Sequence, residues 1–387
     1  MRSDNTAITA AEFPLALFML GMPLILAAYS LSGLVAPANT ADVLMTGLAV
    51  LGFIAEPFRD QKSPDIPLWI KAGIPALLIT CISFHSFARF TPHLMSLLPF
   101  LMEAKPLLYL MVTLLWASMF GIPTSKQISF WALWLAILLN AEFWYGFLEH
   151  NLAIEPNILG HYTLTGPSLL AGLCATLHHK HENRIQRLII LIGIFCTLSR
   201  DNSLTAVLIL LMFGPKGLIK KFILILVLLF FSYVSLIPQD MTMLNRNDLP
   251  QYWIWFAVLE LLARNPMLLL TGFPLSVPVP LSVPASIWNI WHEQHYVWTG
   301  QGVYLFHITP LWLHLITAWG LGGIVIAATA ATAFYRRHSS AMTAGLLTAV
   351  FMTGFFSPLI YSGPSAIVLF LAFTSATRSE TQTFSFE

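Results

Sequence analysis

Charge is the scarcest commodity in this sequence. Asp, Glu, Lys and Arg make up only 10% of the 387 residues, against 57% apolar ones, whereas soluble chains are about one-quarter charged. With a mean hydropathy of +0.74, this excludes an ordinary soluble domain and predicts an integral membrane protein. A net charge of +1 leaves no basis for nucleic-acid binding. Cysteine is nearly absent as well: Cys81, Cys174 and Cys196 lie scattered in apolar runs with no paired spacing, which reads as packing rather than a disulfide framework. The N-terminal stretch "MRSDNTAITAAEF" has little basic character and no clear small-residue cleavage site, so the expectation is a retained first helix rather than a removed signal. Internal repetition is missing too. The long loop described below has no counterpart in the first half, which weighs against a transporter built from repeats.

Apolar segments are plentiful. They run near 13–35, 41–56, 66–88, 94–121, 128–148 and 157–177, then 186–199, 203–214, 218–238, 310–335, 341–360 and 364–377. A membrane helix needs about 20 mostly apolar residues. The segments therefore predict an all-α, polytopic helix bundle of about 12 transmembrane helices, with residues 1–387 forming a single integral membrane domain. Pro99 and Pro106 predict that the fourth segment divides into a short tilted helix and a span.

The few basic residues set the expected orientation, because cytoplasmic loops carry the Lys and Arg excess. "FRDQKSPD", "HHKHENRIQR", "PKGLIKK" and "YRRHSS" all fall on one side if the N-terminus is cytoplasmic, and "APANTAD" and "EHNLAIEPN" on the other side carry no Lys or Arg. Arg89 is an exception. Both termini are then cytoplasmic. The chain between "HHKHENRIQR" and "PKGLIKK" must go out and return over two apolar runs too short for straight spans. The sequence thus predicts two short or bent helices meeting at Arg200 near the outer face. An ionisable residue at such a place is a functional hypothesis by default; the alternative is an Arg200–Asp201 turn anchored among lipid headgroups.

The one long loop, 239–309, faces outward. "RNDLPQYWIWFAVLELLARNP" predicts an amphipathic helix beginning after Pro250, with Trp253, Phe256, Ala257 and Leu261 near one face, ending before Pro266 and able to lie along the membrane interface. The proline-rich "TGFPLSVPVPLSVPAS" then predicts an extended, semi-rigid stretch. In "WHEQH", His292, Glu293 and His295 could hold zinc on a helix, but no further ligand suggests itself and the outward face has no Asp-x-Asp pair, so no metal is expected. Trp288, Trp291, Tyr296 and Trp298 read as an interfacial belt or a sugar-stacking surface.

The order of these features resembles the O-antigen ligase and polysaccharide polymerase family of polytopic bacterial membrane enzymes. The resemblance covers roughly 157–335 and rests on Ser199-Arg200 between two short apolar helices, Arg246 with Trp253 or Trp255 opening the loop, "NPMLLLTGFP" at 265–274, and His307 before "GLGG" at 320–323. The upstream "GHYTLTGPSLLAGL" at 160–173 is similar to a family helix of small residues. There are departures: Ile308 follows His307, Gly320 lies thirteen positions beyond it, and Ala318 or Thr317 occupies the place of a frequent acidic residue. His295 and His314 are therefore rivals of His307.

The resemblance implies transfer of a glycan from an undecaprenyl-diphosphate-linked donor to a saccharide acceptor at the periplasmic face of the inner membrane. Such an enzyme is an O-antigen ligase of lipopolysaccharide synthesis or a polymerase of O-antigen or exopolysaccharide, and it needs no cofactor. Arg200 and Arg246 are the implied diphosphate clamps, since the guanidinium fork matches phosphate oxygens and keeps its charge. His307 is the implied base, and Trp291 and His295 are candidate sugar contacts. The rival expectation is a secondary transporter or flippase of lipid-linked glycans, which the same number of spans would serve. A non-enzymatic membrane scaffold subunit is a third possibility, but it would leave Arg200 unexplained.

Overall fold

A computed structural model describes residues 10–34, 40–54, 68–87, 97–150, 158–159, 162–178, 184–214, 217, 221, 223–226, 249–282 and 302–378. Among them the regular structure is helical, with one isolated bridge between Val279 and Val303. The helices are α1 (Ala10–Leu31), α2 (Thr40–Ile54), α3 (Leu68–Phe87), α4 (Leu98–Phe120), α5 (Ser125–His150), α6 (Tyr162–Leu177), α7 (Arg184–Cys196), α8 (Arg200–Phe213), α9 (Leu249–Arg264), α10 (Leu268–Thr271), α11 (Leu311–Arg337), α12 (Ala341–Thr353) and α13 (Gly363–Thr377). Of these, α1, α4, α5 and α11 are long and apolar enough to cross a membrane. Shorter apolar stretches lie at Thr40–Gly52, Leu164–Leu177, Ala341–Thr353 and Gly363–Thr377. The all-helical class and a set of membrane-compatible helices thus stand, with four full-length candidates where about 12 spans are expected.

The fourth apolar segment is one helix rather than two pieces. Pro99 sits in the first turn of α4, where its missing N–H has no intrahelical partner to lose, and Pro106 is accommodated in the interior. The expected span at 341–360 is shorter than its apolar run: α12 stops at Thr353, and a 3-10 turn at Leu359–Tyr361 leads into α13.

The core is centred on α6, which packs against α5, α7, α12 and α13. Leu169, Leu170, Ala171, Leu173, Cys174 and Ala175 are all fully buried there. Helices approach closely where small residues face each other, as expected when apolar lipid removes most of the hydrophobic drive. Gly172 lies directly against Ala132 of α5, and a β-carbon at Gly193 of α7 would stand 2.7 Å from that of Ala136, one turn further along the same helix. Glu12 ties the N-terminal helix to α5 by accepting from Gln127 Nε2 at 2.6 Å and Trp131 Nε1 at 3.2 Å.

A second apolar cluster belongs to the long loop and the start of α11. Ile254, Ala257, Val258 and Leu262 of α9 bury with Val279, Leu281, Val303, Leu305, Ile308 and Leu313. The helix forms, beginning at Leu249, but in a different register: Phe256 is 49% exposed, because it lies about 200° around the helix from Ile254. The proline stretch is not extended throughout: it turns at 275–277, where Val277 N donates to the Pro274 carbonyl, and 283–286 lie outside the described residues. Trp255 is fixed by donating from Nε1 to the Phe355 carbonyl at 3.0 Å.

Candidate functional site

The stretch "CTLSRDN" breaks the chain between two short helices, as its sequence predicts. α7 ends at Cys196 and α8 begins at Arg200. Leu198 takes a left-handed conformation (φ 53°) between them, which costs a non-glycine residue about 1 kcal/mol. Ser199 is a helix cap: its Oγ accepts from Asn202 N at 3.3 Å and from Asn202 Nδ2 at 2.8 Å, while its hydroxyl donates to Asp201. Asn202 is buried and fills the space above Gly166 of α6, where no side chain would fit. Arg200 is half-buried at the first position of α8, and its guanidinium takes no hydrogen bond or ion pair among the described residues. A cation at a helix N-terminus opposes the helix dipole. Together the guanidinium and the adjacent N–H groups favour an anion.

Other elements of the fold carry the later landmarks. Phe273 N donates to Thr317 O at 2.7 Å, which lays the 265–274 turn on the first half of α11. At that contact α11 is broken by Gly320 (φ 61°), and a β-carbon there would stand 2.7 Å from the carbonyl oxygens of both Leu269 and Leu270. Gly272 (φ 72°) faces Ala318 from the other side. The two glycine motifs separated by almost fifty residues are thus one packing joint. Both positions need glycine for the backbone and for the space.

His307 ends a 3-10 turn, Leu305–His307, that runs into α11. Its ring is half-buried and lies 4.4 Å from that of Phe306, which is itself stacked on Tyr304. His314 is placed differently. Only 2% exposed, it presents Nδ1 to the Leu305 carbonyl at 3.0 Å and Nε2 to Glu103 of α4. A carbonyl only accepts, so Nδ1 carries a proton and donates. Both ring nitrogens of His314 are thus engaged within the protein. Arg246, Trp291 and His295, together with His292 and Glu293, lie outside the described residues.

Two buried charged groups that sequence reading passed over sit on α4. Glu103 accepts from His314 and from the Tyr361 hydroxyl at 2.9 Å. Two residues on, Lys105 donates to Asp42 of α2 at 2.6 Å, and Tyr109 donates to the other oxygen of the same carboxylate. Burial, with the Glu103 carboxylate beside it, pushes the Tyr361 phenol up, so its hydroxyl stays a donor throughout the neutral range. Leu359, which opens the Tyr361 turn, is the second described non-glycine residue at positive φ (44°). Backbone strain is thus concentrated beside Arg200 and beside the Glu103 network, the pattern seen at functional sites. The available signal for Glu103 and Lys105 was their position inside "FLMEAKPLLYL", an apolar run in which any charge needs a reason. Among the described residues no group of three metal-ligating side chains occurs.

No protein-family model matches the chain, and no curated protein matches it.

Proposed function

We propose that the chain is a polyprenyl-diphosphate-dependent glycosyltransferase, an O-antigen ligase or polysaccharide polymerase acting at the periplasmic face of the bacterial inner membrane. The observation that carries this reading is the break at 197–199. It presents a half-buried guanidinium at a helix N-terminus, with no partner among the described residues, in a chain that has little charge to spend. A diphosphate suits that place, because the fork of Arg200 binds phosphate oxygens and the helix N-terminus adds N–H donors. Arg246, opening the long loop, is the second clamp.

The reaction needs little else. The acceptor hydroxyl oxygen forms a bond to the anomeric carbon as the bond from that carbon to the diphosphate oxygen breaks. The electron pair leaves on the diphosphate, and the hydroxyl proton passes to His307. A diphosphate is already a good leaving group, so charge stabilisation by the arginines replaces acid catalysis; one such stabiliser is worth on the order of 3 kcal/mol. A single displacement of this kind inverts the anomeric centre. Trp291 and His295 remain the proposed sugar contacts.

One observation favours a second reading. The buried Asp42–Lys105 pair and the Glu103–His314 pair sit two residues apart on one apolar helix, and intramembrane ion pairs also mark the pathways of transporters and flippases. Reconstitution of the purified chain with a lipid-linked glycan and a saccharide acceptor separates the two. The enzyme yields a new glycosidic bond and free polyprenyl diphosphate. Movement of intact donor across the bilayer without bond formation rejects the enzyme.

A further inference from the structure

The Glu103 carboxylate has no part in the proposed displacement, yet it is buried, takes part in two side-chain hydrogen bonds and joins three separate segments of the chain. Its connection to His307 is short. His314 Nδ1 donates to the carbonyl of Leu305, which is in the same 3-10 turn as His307 and also accepts from Ile308 N at 2.8 Å. Phe306, between Leu305 and His307, packs on Leu98 and Met102, the latter next to Glu103 in α4. The turn is therefore held to α4 twice, by an apolar contact through Phe306 and by a polar strut through His314. We infer that Glu103, acting through His314, is a positioning residue that sets the 305–307 turn and with it the His307 imidazole. This rests on the reading of His307 as the general base.

The chemistry of the strut explains why a carboxylate is needed there. His314 offers two ring nitrogens along one axis. With one tied to a carbonyl, the ring is orientated only if the other also has a partner in line. Glu103 supplies it, and Tyr361 fixes the carboxylate in turn. An aliphatic residue at 103 would leave His314 Nε2 and the Tyr361 hydroxyl buried without a hydrogen-bond partner, and the ring would be free to tilt away from Leu305. The turn would then keep only the Phe306 contact. A base displaced by about 1 Å from its productive place loses roughly 100-fold in rate. Glutamine at 103 is different: its amide can donate to Nε2 of the neutral imidazole while its oxygen accepts from Tyr361, so the same geometry survives without charge.

The neighbouring Asp42–Lys105–Tyr109 group supplies an internal control, because it holds α2 to α4. Hydrogen exchange of the purified full-length chain, read peptide by peptide, tests the inference alongside the kinetics of glycan transfer. Glu103→Ala should speed exchange at 303–308 by about tenfold or more, the effect of losing one charge-assisted bond, while peptides of α6 and α13 stay as in wild type. Its kcat should fall more than about tenfold with the donor KM changed less than about threefold. Glu103→Gln should retain both the protection and most of kcat, and Asp42→Asn should leave 303–308 protected. Unchanged exchange at 303–308 in Glu103→Ala overturns the inference. So does equal loss of protection in Asp42→Asn, which would make the turn follow the general integrity of α4. So does a Glu103→Gln variant as impaired as Glu103→Ala. If wild type forms no glycosidic bond with any lipid-linked donor, the glycosyltransferase reading fails, and the exchange pattern still decides whether Glu103 holds the turn.

Discussion

Arg200 concentrates the residue-scale argument. Its guanidinium stands at the start of α8 beside a cap that Ser199 and Asn202 complete without it, so removing it should leave the helix intact and take away only the charge. Arg200→Ala is accordingly expected to lower kcat/KM for glycan transfer by about 100-fold or more with unchanged thermal stability, measured on purified protein. Arg200→Lys should recover little, because an ammonium cannot reproduce the planar fork; full activity in the lysine variant would reduce Arg200 to a simple positive charge. His307→Ala should also abolish transfer with the fold retained. This site was legible because its signals are local: a serine and a charged pair between apolar runs announce a cap and a break. The Glu103 network was not, since residues 103, 314 and 361 meet only in the folded bundle and nothing in their separate segments says that they pair. Burial of the polar side chain, the property that marks them, does not exist before the helices pack.

Elements show the same division. The limits of α9 follow from Pro250 and Asn265-Pro266, which act on the backbone next to them, whereas the face it buries is set by Val279, Val303 and Leu313 from elsewhere; hence the shift that leaves Phe256 outside. α4 shows the converse, two prolines within one continuous helix, because the first occupies the turn where proline does no harm. The joint between the 265–274 turn and α11 is the element-scale feature most open to test. Gly320 combines a left-handed φ with carbonyl oxygens 2.7 Å from where a β-carbon would stand, and the two costs add. Gly320→Ala should destabilise the protein by about 1–3 kcal/mol, seen as a lower Tm and as faster proteolysis of the loop. Gly322→Ala, two residues on with open space around it, should be neutral or slightly stabilising. Equal effects of the two substitutions would mean that the joint contributes nothing specific.

At the scale of the whole molecule, helix length fixes depth. α7 and α8 have 13 and 14 residues, so each is about 20 Å long, while the hydrocarbon core of a bilayer is about 30 Å thick. If both depart from the cytoplasmic side, as the basic "HHKHENRIQR" and "PKGLIKK" predict, their junction stops roughly 10 Å short of the far hydrocarbon boundary. Arg200 then lies beneath the outer headgroups rather than among them, at the depth where the diphosphate of a membrane-anchored donor could be drawn in but bulk water is scarce. Non-helical backbone is tolerated at such depth only where protein or a wet cavity surrounds it, which the buried Ser199 and Asn202 satisfy on one side. Sidedness and wetness are both measurable with single cysteines in a chain whose Cys81, Cys174 and Cys196 are replaced by alanine. Leu198→Cys, exposed beside Arg200, and Ser286→Cys in the long loop should react with an impermeant thiol reagent added outside intact cells, the first more slowly because its thiol is recessed. Ser339→Cys, exposed between α11 and α12 next to Arg336 and Arg337, should react only after the membrane is opened. Labelling of Ser339→Cys from outside, with protection of Leu198→Cys, would invert the topology and move Arg200 to the face where no periplasmic acceptor can reach it.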